Sequence, residues 1–563
     1  MPPEQTHDKE GADADHRRVS AANANANSLV KEAAAATDLE HSTGTLKSLK
    51  LYRKACFWSV FLSLCIVMEG FDDLLLNNLY AYPPFQRKFG VRLPDGSYEL
   101  TAEWQSGLST GNLCGQIIGL FSNGIIADRI GYRKTLIGAL ALCIGFIFIV
   151  FFAENLVQLL VGEIFLGIPW GFFQTLTTTY AAEVCPTHLR AYLTTYVNVC
   201  WVLGQLIASG VLRAMVARDD KWGYKIPFAL QWMWPVPLII GIWLAPESPW
   251  WLVRHDRPED AKKTLRRLTA RNGEVPFNPD ETVSMMILTN QMEKEQREGT
   301  SYLDLFKGVN LRRTEIVCVT WMVQHFCGSV FISYSTYFYQ QAGMAVDHSF
   351  TMTLSQFAVG IVGICISWTL MRWFGRRTLY FWGQVGMCIL LFIVGCLSFA
   401  GRENKSAQWA IGSLLIVFTF VYDCTVGPVC YSLVAELSST RLRNKSVALA
   451  RLSYNVIGIV RNVITPRMLN PSAWDWGAKT GFFWAGTGFL CAVWIYFRLP
   501  EPKGRTYTEL DILFERGVSA RDFKRAVVGR LDALKGGNES LNEKEFAPES
   551  VTVEEVRSGE ARK

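Results

Sequence analysis

The sequence predicts an all-α membrane protein with twelve transmembrane helices in two pseudo-symmetric six-helix halves. Three observations lead there. Half of the 563 residues are hydrophobic and only 19% are charged, below the roughly 25% of soluble domains. Apolar runs close to the roughly 20 residues that cross a hydrocarbon core recur twelve times along the chain. Two loop patterns recur at nearly the same sequence offset, as in a duplicated six-helix unit.

The elements follow in order. Residues 1–50 are polar, Ala/Asn-rich and charged, without the apolar core of a signal peptide, so the first apolar helix is expected to serve as an uncleaved insertion signal. The twelve spans are read at 55–80, 105–127, 134–152, 156–181, 193–217, 226–245, 314–341, 350–371, 378–400, 408–435, 446–468 and 480–498. This predicts a flexible tail over 1–50, one half over 51–245, a central loop over 246–313, a second half over 314–498 and a second tail over 499–563. Within the loop, residues 261–271 have a short basic amphipathic pattern and are expected to form a surface helix.

Lys and Arg set the orientation. Connections after spans 2, 6, 8 and 10 are basic, with Arg129, Arg133 and Lys134 in the first and Arg372, Arg376 and Arg377 in the third; those after spans 3 and 7 have no Lys or Arg. With an even number of spans, both tails and the central loop are expected on the cytoplasmic side. Asn404-Lys405-Ser406 is a glycosylation sequon in the predicted outer loop after span 9.

The net charge is +6 and no basic tract is interleaved with aromatics, which argues against nucleic acid as a partner. The 14 cysteines lie mostly in apolar runs without a CxxC pair, so neither a metal site nor a disulfide framework is expected. No nucleophile–base motif or nucleotide loop suggests an enzyme or a cofactor. The partners expected are the bilayer, a small solute and a proton, with a monomer as the working unit.

The halves repeat in detail. GIIADRIGYRK (124–134) follows span 2 and FGRRTLY (374–380) follows span 8; Gly131 and Gly375 are 244 residues apart. Glu183 precedes Arg190 by seven residues after span 4, and Glu436 precedes Arg443 by seven after span 10; the two glutamates are 253 residues apart. Asp128, Arg129, Glu183 and Arg190 in one half, with Arg376, Glu436 and Arg443 in the other, are candidate gating ion pairs that join the halves in one state and part in another.

At this point the chain resembles a known family. GIIADRIGYRK is similar to the signature loop of the major facilitator superfamily. PESPWWL (246–252) and PEPKGRT (500–506) resemble two boxes of its sugar-porter branch, with Trp250 where Arg is usual and Pro502 where Thr is usual. MEGFDDLLL (68–76), residues 180–210, YDCTVGPVCYSLVAE (422–436) and residues 466–486 look most like the fungal maltose-type permeases, which are α-glucoside:proton symporters. The resemblance implies the major facilitator fold and proton-coupled sugar uptake by alternating access at the plasma membrane. The alternatives are a carrier of another sugar or a secondary metabolite, or a transport-impaired nutrient sensor.

Charge inside a span calls for a reason. Glu69, Asp72 and Asp73 lie in span 1, and the spacing of three puts Glu69 and Asp72 on one face. Three carboxylates this close do not all ionise cheaply in low dielectric, so at least one is expected to take up a proton near neutral pH. Arg451 in span 11 is the expected counter-charge. Arg461 is expected nearer a helix end, snorkelling. Glu163 and Asp423 are further buried charges. The resemblance supports Glu69, Asp72 and Arg451 as proton-coupling residues. It also marks Gln116 as a departure, because the family usually has glutamate there, and Asp73 as another. Gln205, Gln324, His325, Tyr334, Tyr431 and Asn455 are candidate sugar ligands; two of them, Gln205 and Gln324, match glutamines that contact sugar in the wider branch. Each polar residue could equally serve a helix–helix hydrogen bond, worth roughly 0.6 kcal/mol in membranes.

Overall fold

The computed structural model of the chain describes Glu32, residues 45–523 and Ala526, apart from 95, 271–276, 298–300, 402–403, 440–441 and 506. Most of the two expected tails lies outside the described residues. Helices occupy all twelve predicted segments. Span 1 is Arg53–Ser63 and Cys65–Leu79, span 2 Ala102–Ile130, span 3 Tyr132–Phe151, span 4 Leu156–Val184, span 5 Thr187–Met215 and span 6 Trp222–Leu244. Span 7 is Gly308–Phe326, Val330–Ser333 and Ser335–Gln341. Spans 8 to 12 are Val346–Trp373, Arg376–Ala400, Lys405–Leu437, Arg443–Leu469 and Thr480–Arg498.

Among the described residues, nine helices are long and apolar enough to cross a membrane by length and composition alone. The three spans outside that set are 1, 2 and 7, and each has a local reason. Span 1 is interrupted at Leu64 and carries three carboxylates. Span 7 is interrupted after Phe326, where Gly328 has φ +88°, and its first segment holds Arg312, Arg313 and Glu315. Span 2 is unbroken over 29 residues but interleaves Gln105, Asn112, Gln116 and Asn123 among its apolar positions. Spans 1 and 7 run inside the bundle: from Cys65 to Leu79 nearly every residue is buried, as are Val330–Ser333. A helix surrounded by other helices need not be apolar towards lipid. The lipid-type surface falls elsewhere, on exposed side chains such as Phe121, Trp243, Trp382 and Leu490.

Glycine decides how closely the interior helices approach. A Cβ on Gly115 of span 2 would lie 2.1 Å from the Ile164 carbonyl oxygen of span 4, and one on Gly167 would lie 2.2 Å from the Asn112 carbonyl oxygen. Span 1 meets span 5 in the same way: a Cβ on Gly204 would lie 2.1 Å from the Val67 carbonyl oxygen. Without a hydrophobic drive between helices in lipid, such small-residue contacts and interhelical hydrogen bonds hold a bundle together. Here they bring the polar residues of spans 1, 2 and 4 into one layer.

The segment between the halves forms helices Pro249–Arg254, Pro258–Leu268 and Pro279–Arg297. The predicted amphipathic helix is the second. It starts three residues earlier than read, with Pro258 at its first turn, and buries Ala261, Thr264, Leu265 and Leu268. A short hairpin, Val91–Arg92 with Tyr98–Glu99, lies between spans 1 and 2.

Candidate functional site

Glu69 and Asp72 of span 1 are fully buried, and although they share a helix face they have different partners. Glu69 accepts a hydrogen bond from Gln174 Nε2 of span 4; its Oε2 is buried with no hydrogen-bond partner among the described residues. Asp72 accepts from Gln231 Nε2 of span 6 (2.6 Å), Trp170 Nε1 of span 4 (3.2 Å) and Asn112 Nδ2 of span 2 (3.4 Å). Asn112 Nδ2 also donates to Glu163 Oε2 (3.1 Å). Gln116 Nε2 donates to Asn112 Oδ1 (2.8 Å), and Gln174 Nε2 lies 3.3 Å from Gln116 Oε1. Three amides thus join Glu163, Asp72 and Glu69 in one continuous run across spans 1, 2 and 4.

That run ends on the other half. Gln174 Oε1 accepts from Arg451 Nη2 (2.5 Å) and Nε (3.1 Å) of span 11. The guanidinium lies over the rings of Tyr454 (4.6 Å) and Trp321 (4.9 Å). Trp321 meets Tyr431 edge-on at 4.9 Å, and His325 stacks on Tyr454 at 4.0 Å. Acids and amides from one half face a cation held by aromatic rings from the other, an arrangement in which cation–π attraction strengthens as water is excluded.

The remaining predicted residues are distributed around this centre. Tyr431 and His325 belong to the aromatic group. Gln324 Nε2 donates to the Gly427 carbonyl (3.1 Å), beside the break in span 10. Gln205 is buried next to Gly204. Asn455 is fully buried one turn beyond Arg451, and neither atom of its carboxamide has a hydrogen-bond partner among the described residues. Tyr334 lies away from the centre and meets Ser109 of span 2 (2.8 Å). Asp73 has a cation of its own, Arg461. This corrects the expectation that Arg461 snorkels at a helix end. Span 11 runs on to Leu469, so Arg461 sits two turns inside it, half-buried, bonded to Asn462 Oδ1 (3.0 Å) and turned toward span 1. Asp423 is buried against Gly360 of span 8, where a Cβ would lie 2.5 Å from its Oδ2.

At the end of the bundle that carries the hairpin, the halves are tied together. Besides Tyr334–Ser109, Glu99 of the hairpin accepts from Tyr337 and from Gln341 Nε2 (3.2 Å), Gln340 Nε2 donates to the Ala81 carbonyl (2.9 Å), and Asn470 Nδ2 donates to the Leu100 carbonyl (2.8 Å). At the basic end, the ion pairs of Glu183 and Glu436 among the described residues do not join the two halves. Glu183 pairs with Arg254 (2.7 Å) and accepts from Tyr132 and Ser248; Glu436 pairs with Arg376 (3.3 Å). The partner of Glu183 is therefore Arg254, from the helix after PESPWWL. Asp128 and Arg129 are exposed, without a salt bridge among the described residues. The Arg190 side chain lies outside the described residues. Arg443 opens span 11.

Sequence reasoning overlooked two kinds of residue. The amides Asn112 and Gln174 and the indole Trp170 were hidden because single polar groups in apolar helices read as packing contacts. The glutamates of the two proline boxes were quoted as motif letters without a task. Glu247 accepts from the backbone N–H groups of Tyr132 and Ser248 (both 3.1 Å) and Arg133, at the start of span 3. Glu501 accepts from the N–H of Arg376 (2.8 Å) and Thr378, at the start of span 9. Each places an anion on the free N–H groups at a helix start. Burial pushes the Glu247 carboxyl above its ordinary range, and the N–H donors oppose that. The signal available was the offset, since 247 and 501 differ by 254, beside 253 for the Glu183/Glu436 pair.

The comparisons with known proteins agree with one another. A family profile described as "Sugar (and other) transporter" matches residues 58–514. The general alpha-glucoside permease of Saccharomyces cerevisiae is 43% identical over 518 residues, covering 91% of this chain and 83% of that protein. A maltose permease of the same yeast is 41% identical over 540 residues, covering 94% and 87%. Among solved structures, the xylose transporter XylE from E. coli in a partially occluded inward open conformation superposes with a TM-score of 0.65 at 18% identity, over 80% of this chain and 98% of that one. The proton:xylose symporter XylE bound to 6-bromo-6-deoxy-D-glucose matches with a TM-score of 0.65 at 21% identity, over 82% and 99%. These structures share the fold: twelve helices in two six-helix halves. With its family profile, its relatives and its bundle all in accord, the chain belongs to the sugar (and other) transporter family, a multi-pass membrane carrier rather than an enzyme.

Proposed function

We propose that the chain takes up an α-glucoside such as maltose together with a proton, by alternating access across the plasma membrane. The observation that carries this reading is the Gln174 bridge, through which buried Glu69 of one half and Arg451 of the other share a single side chain. A proton arriving on Glu69 or Asp72 removes the negative charge that Arg451 faces. Moving the acids through a low-dielectric interior then costs less, and the two halves rock apart at one end as they close at the other. The relatives named as alpha-glucoside and maltose permeases support the substrate class.

In this reading Gln205, Gln324, His325, Tyr431 and Asn455 contact the sugar, and Tyr334 closes the outer side above it. The free carboxamide of Asn455 is the group best placed for a hydroxyl. The basic end is cytoplasmic, with both termini there. Asp128, Arg129, Glu183 and Arg190, with Arg376, Glu436 and Arg443, form the inner latch in the outward-facing state. Domain limits at 50, 245, 313 and 498 follow the same scheme, the carrier works as a monomer, and Asn404 lies outside, available for glycosylation. The test is uptake of a labelled sugar panel by cells lacking their own carriers, with and without a protonophore. Maltose accumulation that collapses with the protonophore supports the reading. Accumulation that ignores it, or a panel in which only unrelated sugars enter, opposes it. Gln116 and Asp73 favour a second reading, a carrier of another solute with altered coupling.

A further inference from the structure

We propose that Glu163 is a proton-carrying carboxyl of the N-terminal half, holding one proton jointly with Asp72 across the Asn112 carboxamide. This rests on the proton coupling proposed above and adds a residue to it. Glu163 is 0% exposed, two turns into span 4. One of its oxygens accepts from Asn112 Nδ2; the other, Oε1, is buried with no hydrogen-bond partner among the described residues. The same Nδ2 reaches Asp72 on its other side. One amide group therefore stands between two buried carboxyls, and its own oxygen is held by Gln116, which prevents the amide from turning round to face them.

Among the described residues, the charges around Glu163 leave it without a counter-ion. From span 1 it is faced by Asp72, Asp73 and Tyr80; span 2 offers the neutral amides Asn112 and Gln116. Cys143 of span 3 lies beside Asp72, and span 6 contributes Gln231, which is committed to Asp72. Arg451 reaches the Glu69 end of the run, and Arg461 acts on Asp73. Two carboxylates separated by one amide, with no cation, are costly to ionise together in low dielectric. One proton between them removes the repulsion. It comes from the outer aqueous side onto a carboxylate oxygen and leaves to the cytoplasmic side, with no other bond made or broken. Gln116, which cannot carry a proton, thus becomes the residue that aims Asn112 at a carboxyl pair that can.

The test uses the full chain reconstituted in liposomes. Infrared difference spectra across a pH step report protonated carboxyls directly, without any sugar. Glu163→Gln is expected to remove one protonated-carboxyl C=O band; Asn112→Ser, which leaves both acids in place, is expected to shift that band; and Glu163→Asp is expected to keep it. In the same liposomes with labelled maltose, E163Q is expected to retain counterflow exchange while accumulation falls several-fold. An unchanged E163Q spectrum overturns the assignment, as does loss of counterflow together with accumulation, which makes Glu163 a packing residue. If the wild type moves maltose without proton flux, the coupling reading fails on its own evidence, and the infrared spectra still decide whether Glu163 holds a proton.

Discussion

The two halves share a scaffold but differ inside. At the basic end each has the same device: a glutamate after proline accepts the N–H groups at a helix start, Glu247 at span 3 and Glu501 at span 9. Each also has a Glu–Arg pair, Glu183–Arg254 and Glu436–Arg376. In the membrane interior the likeness ends. The N-terminal half contributes the acids Glu69, Asp72 and Glu163 with their amides, whereas the C-terminal half contributes Arg451 among Trp321, Tyr431 and Tyr454. Duplication preserved what both halves need, helix ends fixed at the membrane surface. The interior diverged because opposite halves of one site must present opposite charges. In the proposed function the N-terminal half handles the proton and the C-terminal half senses its charge.

That division is open to a series of tests, taken from the strongest effect down. Glu69→Gln with Asp72→Asn is expected to abolish accumulation, so that maltose only equilibrates, while counterflow survives. Continued uptake against a gradient in the double variant would remove these acids from coupling. Arg451→Ala takes away the cation that faces them. Truncating one partner of a buried charged hydrogen bond costs about 2–5 kcal/mol, so uptake at matched surface level is expected to fall by more than about tenfold. An Arg451→Ala carrier with wild-type proton-to-sugar ratio would show that the C-terminal half does not sense the charge.

The shared device makes a paired prediction. Arg254→Ala and Arg376→Ala are expected to slow turnover alike, by roughly two- to tenfold, the lower part of the coupling energies of about 0.5–3 kcal/mol between residues in contact, with KM nearly unchanged; Arg443→Ala is expected to behave likewise. Rates that respond in one half only would end the symmetry argument. The mildest change is Gln116→Glu, which returns a carboxyl to span 2 beside Asn112 and Gln174. Like charges at short range oppose one another's ionisation, so the pH optimum or the proton-to-sugar ratio is expected to move, with the fold intact. Superimposable profiles of sugar-induced alkalinisation against external pH would leave position 116 without a part in coupling.

Much of this was legible in the sequence because it depends on local or periodic features. Twelve apolar runs, the Lys/Arg asymmetry of the loops and the 253-residue offset of Glu183 and Glu436 each survive without knowledge of contacts. Glu69 and Asp72 were legible for the same reason: a carboxylate in an apolar helix is conspicuous, and a spacing of three places both on one face. Their partners were not. Asn112, Gln174, Gln231 and Trp170 are single polar groups on three different helices, and no spacing rule relates residue 72 to residue 231. Arg254 beside Glu183, and the inward turn of Arg461, were decided the same way. Sequence determines which residues are costly to bury. Which neighbour offsets that cost depends on how closely Gly115, Gly167 and Gly204 let the helices approach and on how each helix is rotated, and those are properties of the packed bundle alone.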